Sequence, residues 1–234
     1  MKKIVMFDLY DTVLKDVFLD FAAGLAWLHE TYFAGVCTFD EIKEYSDSFL
    51  PRLKAREIDN SELHFINDQL VPMFHKFGVP VPEDLDELEY TFMNKIEKEA
   101  LLDEVKETLQ ELFRREVPMY ILSNSIFTGK SNSRMLQAFG ILPYFTKVYS
   151  SADYGVRKPG KAFFDIAVEQ ILQNHPECNR EDILFVGNSY NADVEGAVGA
   201  GLDAVWYNVS GQKDEKDICI CNTAFFKEVL KYFN

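Results

Sequence analysis

The chain is poor in basic residues and in long hydrophobic runs, and each shortage excludes a class of protein. Its 234 residues include 24 Lys and Arg against 38 Asp and Glu, which gives a formal net charge of −14. Proteins that bind nucleic acid present basic surfaces to the phosphates, so this balance argues against nucleic acid as a partner. No apolar run reaches the ~18 residues of a membrane-spanning helix, so we expect no membrane partner either.

Cysteine is also scarce, and its spacing excludes the common zinc sites. The four cysteines form no CxxC pair. The first three residues lead directly into a predicted strand and do not resemble a signal peptide. We therefore expect a cytoplasmic protein with reduced thiols. Nothing in the composition indicates an oligomeric state.

Five short apolar runs predict buried parallel strands, at residues 4–7, 119–123, 147–150, 183–186 and 204–207. Apolar residues recur with helical spacing at 103–115, 161–172 and 192–200, and the gaps between the last four strands can hold crossover helices. This alternation is typical of an α/β fold with a doubly wound, parallel, five-stranded sheet.

About a hundred residues separate the first two predicted strands, which is too many for one crossover. Helical spacing recurs within them at 18–33, 39–49, 61–77 and 83–98, with breaks near Gly35, Pro51 and Gly78. We therefore predict a core domain formed by residues 1–15 and 102–234. Residues 16–101 form a second, α-helical domain inserted into it, here called the helical insert.

Polar residues follow the predicted strands at the edge where parallel sheets form their sites. They are Asp8 after the first strand, Ser123 and Asn124 at the end of the second, Lys158 after the third, and Asn188 and Asp193 after the fourth. Taken singly, these residues are also typical of turns, solvated surfaces and helix N-termini. Their order at the ends of successive strands favours a single site.

The local sequences resemble the four motifs of the haloacid dehalogenase (HAD) superfamily. DLYDTVL at 8–14, ILSNS at 121–125, RKPGKAFF at 157–164 and FVGNS at 185–189 with Asp193 carry the resemblance. It covers essentially the whole chain, because the helical insert is similar to the C1-type cap that this family places between its first two motifs. The resemblance implies a Rossmann-like core and a hydrolase. It says little about the substrate, because one fold hosts many chemistries.

The resemblance also implies a role for each residue. Asp8 would attack phosphorus and form an aspartyl-phosphate intermediate, and Lys158 would neutralise the developing charge. Phosphate binding would fall to Thr12, Ser123 and Asn124 with its backbone N–H group, together with Lys158. Mg²⁺ would be held by Asp8, the backbone carbonyl of Tyr10, Asn188 and Asp193, all of which offer the oxygen ligands that this cation prefers.

Tyr10 departs from the phosphatase pattern, in which a second aspartate at this position protonates the leaving group and then activates water. A tyrosine, with a pKa near ~10, can donate a proton but is a poor base at neutral pH. Asp11 could substitute as the acid/base, or it could simply stabilise the turn.

Three functions therefore stay open. The first is a Mg²⁺-dependent phosphatase for a small phosphorylated metabolite. The second is a catalytically weakened member of the family that acts as a phosphate-binding or regulatory protein. The third is a metal-independent 2-haloacid dehalogenase, since tyrosine occurs at this position in those enzymes. Dehalogenases grip the substrate carboxylate with a cap arginine, and we expect Arg52 and Arg56 of the helical insert to be solvated instead.

Overall fold

The computed structural model describes residues 1–214 and 216–234 and contains two sheets. The strands are β1 (Ile4–Phe7), β2 (Leu14–Leu19), β3 (Glu97–Leu101), β4 (Met119–Ser123), β5 (Lys147–Ser150), β6 (Ile183–Gly187), β7 (Asp203–Tyr207) and β8 (Cys221–Thr223). Six of them form a wholly parallel sheet in the order β5-β4-β1-β6-β7-β8. The other two, β2 and β3, form a separate antiparallel ribbon.

Helices precede or follow most strands. They are α1 (Phe21–Leu28), α2 (Phe39–Asp47), α3 (Leu50–Asp59), α4 (Val71–Lys76), α5 (Leu85–Ile96), α6 (Val105–Arg114), α7 (Gly129–Ala138), α8 (Lys161–Asn174) and α9 (Gly196–Gly199). Single π-helical turns lie at His29–Phe33, Phe65–Leu70 and Tyr190–Glu195, and 3₁₀ turns at Leu142–Tyr144, Ser151–Asp153, Arg180–Asp182 and Phe226–Tyr232. Across the described ranges, every helix is too short or too polar to cross a membrane.

The inner strands β1, β4 and β6 are buried on both faces, which explains why they are continuous, mainly apolar runs rather than alternating ones. Ile4 and Met6 of β1 pack with Phe164 of α8 on one face. The neighbouring residues Val5 and Phe7 belong to the core on the other face, which includes residues of α6 and α7. Helices α6 and α7 thus cover one face of β1, and α8 covers the other.

The ribbon of β2 and β3 joins the helical insert to the sheet. Leu14 pairs with Leu101 and Leu19 with Glu97, so the chain enters and leaves the insert side by side. Within the insert, α1, α2, α4, α5 and the π-helical turn Phe65–Leu70 share an aromatic core, in which the rings of Phe65 and Phe92 lie 4.6 Å apart.

The five predicted strands are confirmed to within one residue, and the predicted helices at 103–115 and 161–172 correspond to α6 and α8. The parallel sheet nevertheless has six strands, because β8 adds to its edge beside β7. The ribbon, α3 and α7 were not predicted. The division into a core and a helical insert stays a prediction, and both of its boundaries fall on the ribbon.

Candidate active site

Asp8 is held at the carboxyl edge of the sheet by backbone hydrogen bonds. It follows β1, the strand between β4 and β6, and its N–H group donates to the carbonyl of Val186 at 2.9 Å. The chain then turns tightly, since the N–H groups of Val13 and Leu14 both donate to Leu9 O at 2.9 Å. The side chain of Asp8 is therefore almost fully buried, although it carries a carboxylate.

Lys158 compensates the buried charge of Asp8 and of a second carboxylate. Its Nζ lies 2.6 Å from Asp8 Oδ1 and 2.7 Å from Asp193 Oδ1, and only 1% of its side chain is exposed. Burial alone would lower the pKa of Lys158, but the two carboxylates outweigh it and raise that pKa above its ordinary value. Burial and the nearby charge of Asp8 raise the pKa of Asp193 to about 6, against the opposing effect of Lys158. Two carboxylates thus share one ammonium group, so the buried cluster has an excess of negative charge.

Gly187 and the backbone N–H group of Ser189 allow the Asp193 carboxylate to lie in contact with Lys158. A Cβ atom at Gly187 would lie 2.4–2.5 Å from the Asp193 side chain, so any larger residue there would displace the carboxylate. The N–H group of Ser189 donates to Asp193 Oδ2 at 2.8 Å. Asn188 lies beside them, and its carbonyl accepts from Trp206 Nε1 at 2.8 Å.

Thr12 links the first and fourth motifs. Its buried hydroxyl lies 3.0 Å from Asp8 Oδ2 and 3.3 Å from the side-chain oxygen of Asn188. Each oxygen of Asp8 therefore has one fixed partner, Lys158 on one side and Thr12 on the other. This arrangement holds the plane of the carboxylate in one orientation.

The two predicted phosphate ligands of the second motif differ in what they contact. Ser123 is fully buried, and its hydroxyl has no hydrogen-bond partner within the described residues. A buried hydroxyl without a partner is costly, so it is available to an added ligand. The Asn124 side chain is already used, since its Oδ1 accepts from Lys158 N at 2.8 Å and its Nδ2 donates to Lys158 O at 2.9 Å. This contact favours positioning of Lys158 as the role of that side chain.

Tyr10 and Asp11 have different surroundings and line different cavities. The Tyr10 hydroxyl donates towards Asn132 Oδ1 at 3.1 Å and Glu97 Oε2 at 3.3 Å. Burial, and then the charge of Glu97, hold the pKa of Tyr10 well above 10. Asp11 has a left-handed backbone (φ 55°), is exposed, and lines a separate cavity of about 240 Å³ with Asn188.

A larger cavity of about 390 Å³ lies beside Tyr10, between the ribbon, the helical insert and the loop after β4. Its wall includes Arg56 of α3, together with the acids Asp16 and Glu97 of the ribbon. Burial and the neighbouring Glu99 raise the pKa of Glu97 to about 8. The expectation that Arg56 is solvated is wrong, whereas Arg52 is half-exposed and pairs with Asp68.

Arg56 is fixed by Glu62, which also joins the helical insert to the loop before Lys158. Arg56 Nη1 contacts Glu62 Oε1, whose side chain is only 1% exposed. The other oxygen of Glu62 accepts from Ser151 Oγ at 2.9 Å. The backbone N–H of Glu62 donates to Gly155 O at 3.0 Å. The sequence reasoning did not identify Glu62, Glu97 or this role of Arg56, and only a buried position distinguishes them from other charges of the insert.

The oxygens at this edge fit a hard divalent cation. Asp8 and Asp193 contribute carboxylates close to one ammonium group, and the side-chain oxygen of Asn188 is joined to Asp8 through Thr12. Carboxylate, amide and carbonyl oxygens are the donors that Mg²⁺ accepts, usually beside several waters. Among the described residues, however, no cluster of three or more His, Cys, Asp or Glu is present. The oxygens of this edge are therefore of the type that Mg²⁺ accepts, and the residues that hold the ion stay a prediction.

Comparisons with known proteins identify the family and agree with the fold. The profile of the haloacid dehalogenase-like hydrolases matches residues 2–201. The pyrimidine 5'-nucleotidase PynA of Streptococcus pneumoniae is 29% identical over 213 residues, which are 88% of this chain and 84% of that protein. The magnesium-bound structure of the HAD-hydrolase YfnB from Bacillus subtilis covers 100% of this chain and 99% of its own, with a TM-score of 0.61 and 23% identity. A 2-haloacid dehalogenase from Pseudomonas syringae covers 99% and 98%, with a TM-score of 0.69 and 19% identity.

Proposed function

This chain belongs to the haloacid dehalogenase-like hydrolases, and we propose that it is a Mg²⁺-dependent phosphatase that forms an aspartyl-phosphate intermediate on a small phosphorylated metabolite. The observation that carries the proposal is the oriented Asp8 carboxylate, paired with Lys158 next to a strand end whose Ser123 hydroxyl lacks a partner among the described residues. The kinship with a protein named as a pyrimidine 5'-nucleotidase supports phosphoryl transfer over dehalogenation.

In the first step, an oxygen of Asp8 forms a bond to phosphorus while the bond from phosphorus to the ester oxygen breaks. The alcohol leaves with that electron pair and takes up a proton. Lys158 offsets the charge on the nucleophile and the phosphoryl oxygens, and Ser123 would donate to one of those oxygens. When bound, Mg²⁺ would add positive charge against the same oxygens. In the second step water attacks phosphorus, inorganic phosphate leaves, and the Asp8 carboxylate is regenerated.

The proton transfers distinguish this chain from a phosphatase with two aspartates. Tyr10 has a raised pKa, so its phenol can donate a proton but does not activate water at neutral pH. Asp11 is the carboxylate nearest in sequence, but it lines the smaller cavity. We therefore expect a preference for phosphates whose leaving group needs little protonation, such as acyl and aryl phosphates.

A screen of phosphorylated metabolites and 2-haloacids, each with Mg²⁺ and with EDTA, tests the proposal. We expect metal-dependent phosphate release that Asp8→Asn abolishes, because an amide cannot form the covalent intermediate. Asp203→Asn is the matched control, since Asp203 lies at the opposite edge of the sheet and pairs with Lys2 on the surface. Halide release with EDTA would instead identify a dehalogenase. Binding of phosphate esters without turnover would identify a catalytically weakened, phosphate-binding protein.

A further inference from the structure

We infer that Glu62 is a positioning residue for Lys158, because it fastens the helical insert to the two core loops that carry the second and third motifs. The inference rests on the proposed function, in which Lys158 supplies the charge that stabilises phosphoryl transfer. Glu62 lies in the insert, between α3 and the π-helical turn Phe65–Leu70. It would act through the backbone of the loop that carries Lys158 and not on the substrate itself.

A short antiparallel contact joins the insert to the loop before Lys158. Its centre is a β-bridge between Ser61 and Val156. Beside this bridge, the N–H group of Arg157 donates to Asn60 O at 2.9 Å. The residue that directly precedes Lys158 is therefore held by the backbone of the insert.

The backbone of Lys158 is thus held from two sides. Its own N–H group and carbonyl are bound by the side chain of Asn124 at 2.8 and 2.9 Å, and the insert holds Arg157 next to it. This matters because Lys158 Nζ reaches two carboxylates at once, Asp8 at 2.6 Å and Asp193 at 2.7 Å. A shift of the loop would lengthen at least one of these contacts.

The carboxylate of Glu62 extends the contact to the second motif. Its side chain is only 1% exposed, and its Oε2 accepts from Ser151 Oγ at 2.9 Å while its Oε1 contacts Arg56. The same oxygen of Ser151 accepts from Ser125 N at 2.9 Å, two residues after Ser123. One carboxylate therefore links the insert, through one serine, to the loop of the second motif.

Two local features allow the insert to approach the Lys158 loop this closely. Asn60 ends α3 with a left-handed backbone (φ 55°), a conformation that asparagine tolerates better than most residues. A Cβ atom at Gly160 would lie 2.9 Å from Asn60 Cβ, so a larger residue there would push the two segments apart. The contact is thus built by residues of both the insert and the core.

The charge of Glu62 favours positioning over a purely structural link. An arginine lies near each of its oxygens, Arg56 at Oε1 and Arg157 Nε at 3.7 Å from Oε2. A buried ion pair is commonly no more stabilising than apolar residues of the same volume. Hydrogen bonds to a carboxylate are directional, however, so this contact sets one arrangement of the two loops rather than only holding them together.

The experiment measures kcat and KM for phenyl phosphate with Mg²⁺ in Glu62→Gln, Ser151→Ala and the double variant. Glutamine keeps the length of the side chain but accepts with one oxygen only, so it cannot bind Arg56 and Ser151 together. Misplacing a catalytic group by ~1 Å can cost ~10²-fold, so we expect kcat to fall by roughly 10- to 100-fold while KM changes little. The double variant should lose no more than the larger single loss, because both changes break one contact. Glu44→Gln, at an exposed position of α2 in the same insert, is the matched control and should leave kcat unchanged.

Binding of orthovanadate separates positioning from a loss of folded protein. This anion takes the five-coordinate geometry of phosphoryl transfer, so its affinity should fall together with kcat, whereas the number of sites per chain should stay that of the wild type. Ser151→Ala removes no charge and therefore serves as the test where thermal melts show that Glu62→Gln does not fold.

Three results would overturn the inference: a wild-type kcat in the folded variants, additive losses in the double variant, or a loss of vanadate sites without a loss of affinity. If the wild type releases phosphate from no ester, the proposed function fails and vanadate still decides. Weaker vanadate binding in Ser151→Ala would then support the positioning role of Glu62, and unchanged or absent binding would refute it.

Discussion

Replacing Lys158 by methionine should destabilise the protein strongly, because it removes the cation that two buried carboxylates share. Lys158 Nζ contacts Asp8 and Asp193 at 2.6 and 2.7 Å, and 1% of the lysine side chain is exposed. Removing one partner of a buried ion pair typically costs ~3–5 kcal/mol, since the remaining charge stays desolvated. For a chain of this size ~1 kcal/mol corresponds to ~2–4 °C, so the melting temperature should fall by roughly 6–20 °C.

The dependence of this stability loss on pH provides a second, independent test of the prediction. Burial and Asp8 already raise the pKa of Asp193 to about 6 while Lys158 opposes them, so removing the lysine raises that pKa further. A carboxyl group whose pKa is higher in the folded state stabilises that state as it takes up a proton. The deficit of Lys158→Met should therefore be smaller at pH 5 than at pH 7.5.

Thermal melts in EDTA at both values of pH measure the effect. Lys161→Met is the matched control, because Lys161 is 59% exposed and pairs with Asp165 on the surface, so its loss should cost less than ~0.5 kcal/mol. Adding Asp8→Asn to Lys158→Met should recover part of the stability by removing one of the two uncompensated charges. A Lys158→Met protein as stable as the wild type at pH 7.5 would refute the reasoning.

Three further predictions concern the acids of the site and of the helical insert. Tyr10→Asp should accelerate hydrolysis of alkyl phosphates, within the ~10²–10⁴-fold of one general acid/base, as steady-state kinetics would show; a folded variant with no gain on any alkyl phosphate would contradict this. Asn188→Asp should bind Mg²⁺ more tightly in calorimetric titrations, because it adds an anionic oxygen, and equal or lower affinity would remove Asn188 from the metal site. Glu89 is fully buried, and burial raises its pKa, so stability should decline as pH rises through that raised pKa. Glu89→Gln should flatten this decline in melts over a pH series that starts at the ordinary pKa of a glutamate and runs upward, whereas Glu87→Gln on the exposed face of the same helix should not.

Five of the six strands of the sheet could be predicted because they are short, mainly apolar runs, as a sheet covered on both faces requires. The edge strand β8 has the sequence CNT and carries no such signal. Because the carboxyl ends of parallel strands lie at one edge of the sheet, their order alone predicted that Asp8, Ser123 and Lys158 lie close together. Helix α3 could not be predicted in the same way. Pro51 was interpreted as a break, but it lies in the first turn of α3, where a missing N–H group costs nothing. With that helix unrecognised, nothing indicated that Arg56 faces a cavity.

Tyr10 shows a different limit of sequence reasoning. Its position two residues after Asp8 correctly raised the question of a missing acid/base, because that depends only on spacing. Whether Tyr10 can act as an acid or a base depends also on its contact with Glu97, which lies 87 residues away along the chain. Glu97 reaches the Tyr10 hydroxyl only because β3 pairs with β2 in one register. The alternation of residues 97–101 is too short, and too rich in charge, to predict that pairing.

The cluster of Asp8, Lys158 and Asp193 is best explained by function rather than by folding. A buried ion pair is commonly no more stabilising than apolar residues of the same volume, and this cluster has one carboxylate in excess. The chain nevertheless builds it with a glycine at 187, a backbone donor at Ser189 and a side-chain clamp from Asn124. Several residues therefore cooperate to hold an arrangement that folding alone would disfavour. That is the pattern expected where selection has retained a reactive carboxylate at the expense of stability. It is also why Asp8→Asn should inactivate the enzyme and yet melt at the same temperature or higher.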